Sequence, residues 1–111
     1  MIYKKVLKYV TESQKCYFDE WYFNLSQKKQ AVVSAYIKRL AGGGSKRNIK
    51  PLKNGVFEVK IKTLGGLRAY FGEEGGEVVL LLLGGDKSSQ NKDIILAKRL
   101  WSDYGKSKQK F

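Results

Sequence analysis

Apolar positions change their spacing along this chain, and each change marks an element. Ile2 to Val10 is rich in Ile, Tyr, Val and Leu and is closed by the polar stretch Thr11 to Gln14, which predicts a first strand. Phe18, Trp21, Tyr22 and Leu25 then fall at i, i+3, i+4 and i+7, one face of a helix. Ser26 offers an N-cap to a second helix, where Val33, Tyr36, Ile37 and Leu40 repeat the spacing and Gly42, Gly43 and Gly44 end it. With so little chain between them, the two helices should form an antiparallel hairpin. The glycines and the following SKRNIKPLKNG read as an exposed basic loop.

From Val56 the period becomes two. Phe57, Val59 and Ile61 alternate with Glu58, Lys60 and Lys62, so the apolar set packs inward and the charges share the other face. A turn at Leu64, Gly65 and Gly66 leads to Leu67, Ala69 and Phe71, which alternate with Arg68 and Tyr70, and a second turn at Glu73 to Gly76 follows. Val78 to Leu83 is continuously apolar, as suits an interior strand covered on both faces. Ser88 or Ser89 can cap a final helix with Ile94, Ala97, Trp101 and Tyr104 on one stripe, ended by Gly105. The order is strand, helix, helix, three-strand meander, helix: an α+β domain over residues 1–105, its helices laid on a mainly antiparallel sheet, with a basic tail at 106–111.

Composition narrows the chemistry. The chain of 111 residues has no His and one Cys, Cys16, which excludes a Cys/His zinc site, a disulfide and a histidine general base. No cofactor is expected. A lone Cys suits a reducing cytoplasm, no run of about 18 apolar residues offers a membrane span, and Lys4, Lys5 and Lys8 interrupt any signal-peptide core. The net charge is +12, from 22 Lys and Arg against 10 Asp and Glu. Nucleic acid, an anionic membrane surface or an acidic protein are the partners such a balance favours.

The cations are not spread evenly. Between Lys38 and Lys62 stand eight basic residues and one acid, Glu58. Lys46, Arg47, Lys50 and Lys53 belong to the basic loop, where they suit RNA or ribosome contacts or are simply solvated. Lys60 and Lys62 share a strand face, Arg68 and Tyr70 extend it on the next strand, and Lys87 follows the last strand. A basic concavity with an aromatic side chain suits a phosphodiester backbone and an unstacked base. Such a surface can cleave RNA without histidine, because the ribose 2′-hydroxyl is an internal nucleophile that needs orienting, deprotonating and charge stabilisation. Arg68 suits the phosphorane. A lysine neutralised by crowded like charges can act as base, with Glu58 as the rival base or, equally, as a salt-bridge partner that holds Lys60 and Lys62 apart. GGG at 42–44 and GGDK at 84–87 lack the spacing of a nucleotide-binding loop. Cys16, Trp21 and Trp101 read as packing residues.

The segments KPLKNGVFEVKI, LRAYF and LLLLGGDKSSQNKDIILAKRLWSDY resemble the RelE/ParE superfamily of bacterial toxins, specifically the HigB-like, phage-derived addiction-module killer proteins, over Phe18 to Tyr104. The resemblance implies a β-α-α-β-β-β-α fold and the toxin of a type II toxin–antitoxin pair. It further implies an mRNA endonuclease that cuts messages on the ribosome and so inhibits translation, without metal, and is neutralised by an antitoxin carrying a helix-turn-helix DNA-binding domain. The basic positions of the family fall on Lys60, Lys62, Arg68 and Lys87. The family's tyrosine on the last helix has no match near Ile94 or Ile95, leaving Tyr70 as a substitute. The resemblance also leaves open a ParE-like gyrase inhibitor without nuclease activity, and a relic that binds RNA and antitoxin without cleaving.

Overall fold

The two strands Leu67–Glu74 and Val78–Gly85 are buried almost without a break, so both sides of the sheet are covered. The computed structural model describes residues 4–42, 48–62 and 65–108. In chain order it contains β1 (Lys5–Lys8), α1 (Tyr17–Phe23), α2 (Gln27–Ala41), β2 (Ile49–Pro51), β3 (Val56–Ile61), β4 (Leu67–Glu74), β5 (Val78–Gly85), a 3-10 turn (Lys87–Ser89) and α3 (Gln90–Lys108). The sheet order is β1-β5-β4-β3-β2, with β1 parallel to β5 and every other pair antiparallel. This is the expected α+β class.

On one side of the sheet Val59, Ile61, Leu67, Ala69, Phe71, Val79 and Leu81 bury against Phe18 of α1 and Val33 and Leu40 of α2. On the other, Val56, Tyr70, Leu80, Leu82 and Leu83 bury against Ala97 and Leu100 of α3. Both faces of β5 are therefore covered, as its unbroken apolar run requires. Between Tyr70 and Phe71 the register shifts: Tyr70 pairs with Leu83 and Phe71 with Leu81. The extra residue, Leu82, puts two successive leucines into the same core, the usual effect of a bulge.

Two tryptophans hold helices to strands through glycines. A Cβ at Gly84 would overlap the Trp21 ring of α1, and one at Gly72 would overlap the Trp101 ring of α3. The rings thus lie flush on bare backbone, one on each side of the sheet. Ser26 caps α2 as the sequence predicts, its Oγ accepting from the Lys29 amide at 3.2 Å.

Several local expectations are corrected. The first strand, expected over Ile2 to Val10, ends at Lys8, and Ile2 lies outside the described residues. Part of the presumed basic loop is the strand β2, which pairs with β3 and makes the antiparallel portion four-stranded. Asp86, rather than Ser88 or Ser89, caps the turn before α3, accepting from the Ser88 amide at 2.9 Å. Gly105 does not stop α3, which takes in the start of the presumed tail and runs to Lys108. A single glycine lowers helix propensity by only about 1 kcal/mol, too little to end a helix whose preceding turns are packed. Among the described residues no helix is long and apolar enough to cross a membrane.

Candidate nucleic-acid interface

Antiparallel pairing sets the site, because residues opposite one another on neighbouring strands point to the same side. One row runs Lys50, Glu58, Tyr70, Leu83, and the next places Lys60 opposite Arg68 and Arg68 opposite Gly85. Both rows lie on the α3 side. At their β2 end a cleft of about 260 Å³ is lined by Asn48, Ile49, Lys50, Glu58, Lys60, Lys62, Arg68 and Gln90. The pairing thus gathers five of the sequence-predicted residues, Lys50, Glu58, Lys60, Lys62 and Arg68, into one concavity.

Its rim and floor differ. Lys50, Lys60 and Lys62 are exposed and form no ion pair among the described residues, so their charge faces outward uncompensated. Glu58 and Arg68 are buried, at 4% and 5% exposure. Arg68 Nε lies 3.3 Å from Glu58 Oε1, an ion-pair contact without hydrogen-bond alignment. Arg68 Nη1 donates to the Gly66 carbonyl at 2.7 Å. Gln90, the first residue of α3, donates from Nε2 to Glu58 Oε1 at 2.8 Å. A buried carboxylate survives only with such partners. Glu58 pairs with Arg68 and, among the described residues, with neither Lys60 nor Lys62, the partners expected for it.

Tyr70 lies behind the pair and is fully buried, with no hydrogen-bond partner for its hydroxyl among the described residues. Burial first, then the nearby Glu58 and Asp93 charges, raises its pKa, with Arg68 working the other way. It is a neutral phenol at physiological pH. The expectation that Tyr70 offers a stacking surface to a base is therefore corrected, because the bulged β5 and α3 cover its ring. Asp93 of α3 is also buried and packs over Gly85, where a side chain would collide with it. Ser89 Oγ donates to Asp93 Oδ2 at 2.6 Å, but burial dominates and raises the Asp93 pKa.

Lys87 is exposed on the 3-10 turn and does not line the cleft, and Lys53 is exposed in the β2–β3 turn. Lys46 and Arg47 lie outside the described residues. Asn48 and Gln90 line the cleft without having been singled out in the sequence. Asn48 Oδ1 is buried without a hydrogen-bond partner among the described residues. The signal for Gln90 was its position at the start of the last helix, directly after the turn that follows β5. A larger cleft of about 520 Å³ on the opposite flank of α3 carries Glu12 and Asp103 beside Arg99 and Lys106, a mixed charge less suited to a polyanion.

No protein-family model matches the chain. It is 42% identical over 89 residues to an uncharacterized protein of Haemophilus influenzae strain Rd, an alignment covering 79% of this chain and 89% of that protein. Its structure is similar to a chain of the toxin–antitoxin complex RelBE2 from Mycobacterium tuberculosis, with a TM-score of 0.53, 17% identity, and coverage of 79% of this chain and 95% of that one. The fold is RelE-like.

Proposed function

The chain belongs to the same family as that Haemophilus influenzae protein, and we propose that it is the toxin of a type II toxin–antitoxin pair, an mRNA endonuclease of the RelE/ParE superfamily in its HigB-like branch. The observation that carries the reading is a cleft in which three lysines, without ion pairs among the described residues, surround a buried arginine–glutamate pair. The likeness of the fold to a chain of a toxin–antitoxin complex supports the toxin role. A cognate antitoxin, with a helix-turn-helix domain of its own, is the proposed partner.

The chemistry follows from the groups present. Lys50, Lys60 and Lys62 bind successive phosphates and draw a single strand into the cleft. The 2′-oxygen attacks the adjacent phosphorus while the bond to the 5′-oxygen breaks, giving a 2′,3′-cyclic phosphate and a 5′-hydroxyl. Arg68 stabilises the charge on the phosphorane once the substrate competes with Glu58 for its guanidinium. The 2′-proton passes to the Glu58 carboxylate released from that pair, and a rim ammonium, Lys60 or Lys62, gives a proton to the leaving 5′-oxygen. Side-chain cations supply the positive charge, so divalent metal has no required part.

The test adds purified protein to a translation extract and maps message ends by primer extension. New ends within coding regions, formed equally well when the purified protein is treated with EDTA and dialysed before it is added to the extract, support the reading. Intact messages together with a DNA-damage response in induced cells would replace it with a ParE-like gyrase inhibitor.

A further inference from the structure

Beyond the cleft, α3 carries one flank of its surface along the β2–β3 hairpin. Gln90, Ile94, Lys98 and Trp101 recur at helical spacing on that flank. Gln90 touches Glu58 at one end, and at the other the Trp101 ring lies against Gly55 and Gly72. The turn it meets is unusual: Lys53, Asn54 and Gly55 have φ of 72°, 58° and 83°, three consecutive residues in the left-handed region. Asparagine and glycine adopt it readily but the Lys53 side chain disfavours it, and the Trp101 ring against Gly55 helps to hold the turn in place.

Between this turn and α3 lies a third cleft of about 510 Å³, lined by Asn54, Lys98, Arg99, Trp101 and Ser102. It has two cations, two neutral polar side chains, a half-buried indole and no acid. Lys98 and Arg99 form no ion pair among the described residues. From Gln90 to Trp101 the helix rises about 17 Å. A stacked strand advances about 3.4 Å per nucleotide, so this flank spans on the order of five nucleotides.

We propose that the groove between α3 and the β2–β3 hairpin is a track for single-stranded RNA running out of the catalytic cleft, with Asn54, Lys98 and Trp101 forming a second, outlying subsite. The inference rests on the RNA reading above and names the path of its substrate. Unpaired cations at both ends attract a polyanion. At the outlying end Lys98 and Arg99 offer charge to phosphates while Asn54 and Ser102 offer neutral hydrogen-bonding groups to bases and sugars, which an acidic peptide would leave unused; the indole, laid on Gly72 and stacked with Tyr104 at 5.6 Å, walls the subsite. The strained turn presents Asn54 in a set position, so little ordering remains for the bound state.

The test measures binding of labelled oligouridylates, a trinucleotide and a nonanucleotide, by fluorescence anisotropy in the intact protein. For the parent the longer probe binds roughly tenfold tighter, two or three added contacts partly offset by strand ordering. In Lys98→Glu that ratio falls toward unity, and in Lys98→Gln the salt slope for the nonanucleotide drops by about one. Lys28→Glu, on the exposed surface of α2 across the sheet, is the charge-matched control and keeps the parental ratio. A ratio that survives Lys98→Glu, or falls equally in Lys28→Glu, overturns the track alone. Displacement of the nonanucleotide by oligoglutamate as readily as by unlabelled RNA also overturns it, in favour of an acidic peptide. Failure of the parent to bind either probe removes the RNA reading and the track together.

Discussion

Arg68→Ala is the obvious test of a phosphorane-binding residue, and the structure predicts that it will first act on stability. Arg68 and Glu58 are 5% and 4% exposed, so water cannot replace the lost guanidinium. Removing one partner of a buried ion pair costs about 3–5 kcal/mol, because the remaining charge is left uncompensated. Gln90 continues to donate to Glu58 Oε1, which places the expected loss near the lower end, about 3 kcal/mol. Against a total of about 5–15 kcal/mol for a domain, the variant folds with a reduced margin. The double variant Glu58→Gln, Arg68→Ala removes the stranded charge and is expected to lie about 1–2 kcal/mol above the single variant, a coupling of the size found within ion-pair networks. Urea unfolding followed by Trp21 and Trp101 fluorescence measures both. With a slope of about 1–3 kcal/mol per molar, a loss of 3 kcal/mol moves the midpoint by at least about 1 M. A single variant within about 0.5 kcal/mol of the parent, or a double variant no better than the single, refutes the argument that this pair sustains the floor of the cleft. If it holds, the nuclease assay of Arg68→Ala is read only after correction for the folded fraction.

The exposed rim gives the cleaner activity test: Lys60→Ala and Lys62→Ala should keep the parental unfolding midpoint while cutting message cleavage about tenfold or more, and normal cleavage by both variants counts against the cleft. Asp93 has a folded pKa raised mainly by burial, so the folded state holds its proton more tightly than the unfolded state and stability falls as pH rises from about 3.9 through the raised value. Asp93→Asn should therefore gain on the parent as pH increases across that window, measured by urea melts at several pH values; a constant difference refutes it. Gly84→Ala should destabilise by about 1–3 kcal/mol because its methyl meets the Trp21 ring, whereas Gly105→Ala, in open space near the end of α3, should stabilise by about 0.5–1 kcal/mol; thermal melts of the two variants settle the contrast.

Local spacing was enough to place most elements. The i, i+3, i+4 pattern of Phe18, Trp21 and Tyr22, the cap at Ser26, the alternation through Val59 and Ile61 and the unbroken run of β5 each reflect a period that the backbone imposes on whichever side must be buried. The same alternation put Glu58, Lys60, Lys62 and Arg68 on one side of the sheet, because a cross-strand pair shares its face. What spacing could not reveal depends on partners distant in sequence. The strand β2 has only three residues and little apolar character, and it exists because β3 offers it an edge. Gln90 reaches Glu58 only because α3 begins over that strand. Tyr70, which alternation assigned to the charged face, is buried because the bulge at Leu82 and the approach of α3 close over it. A strand's period states which residues share a side, but whether that side meets water, a helix or a ligand is decided by the elements that pack on it.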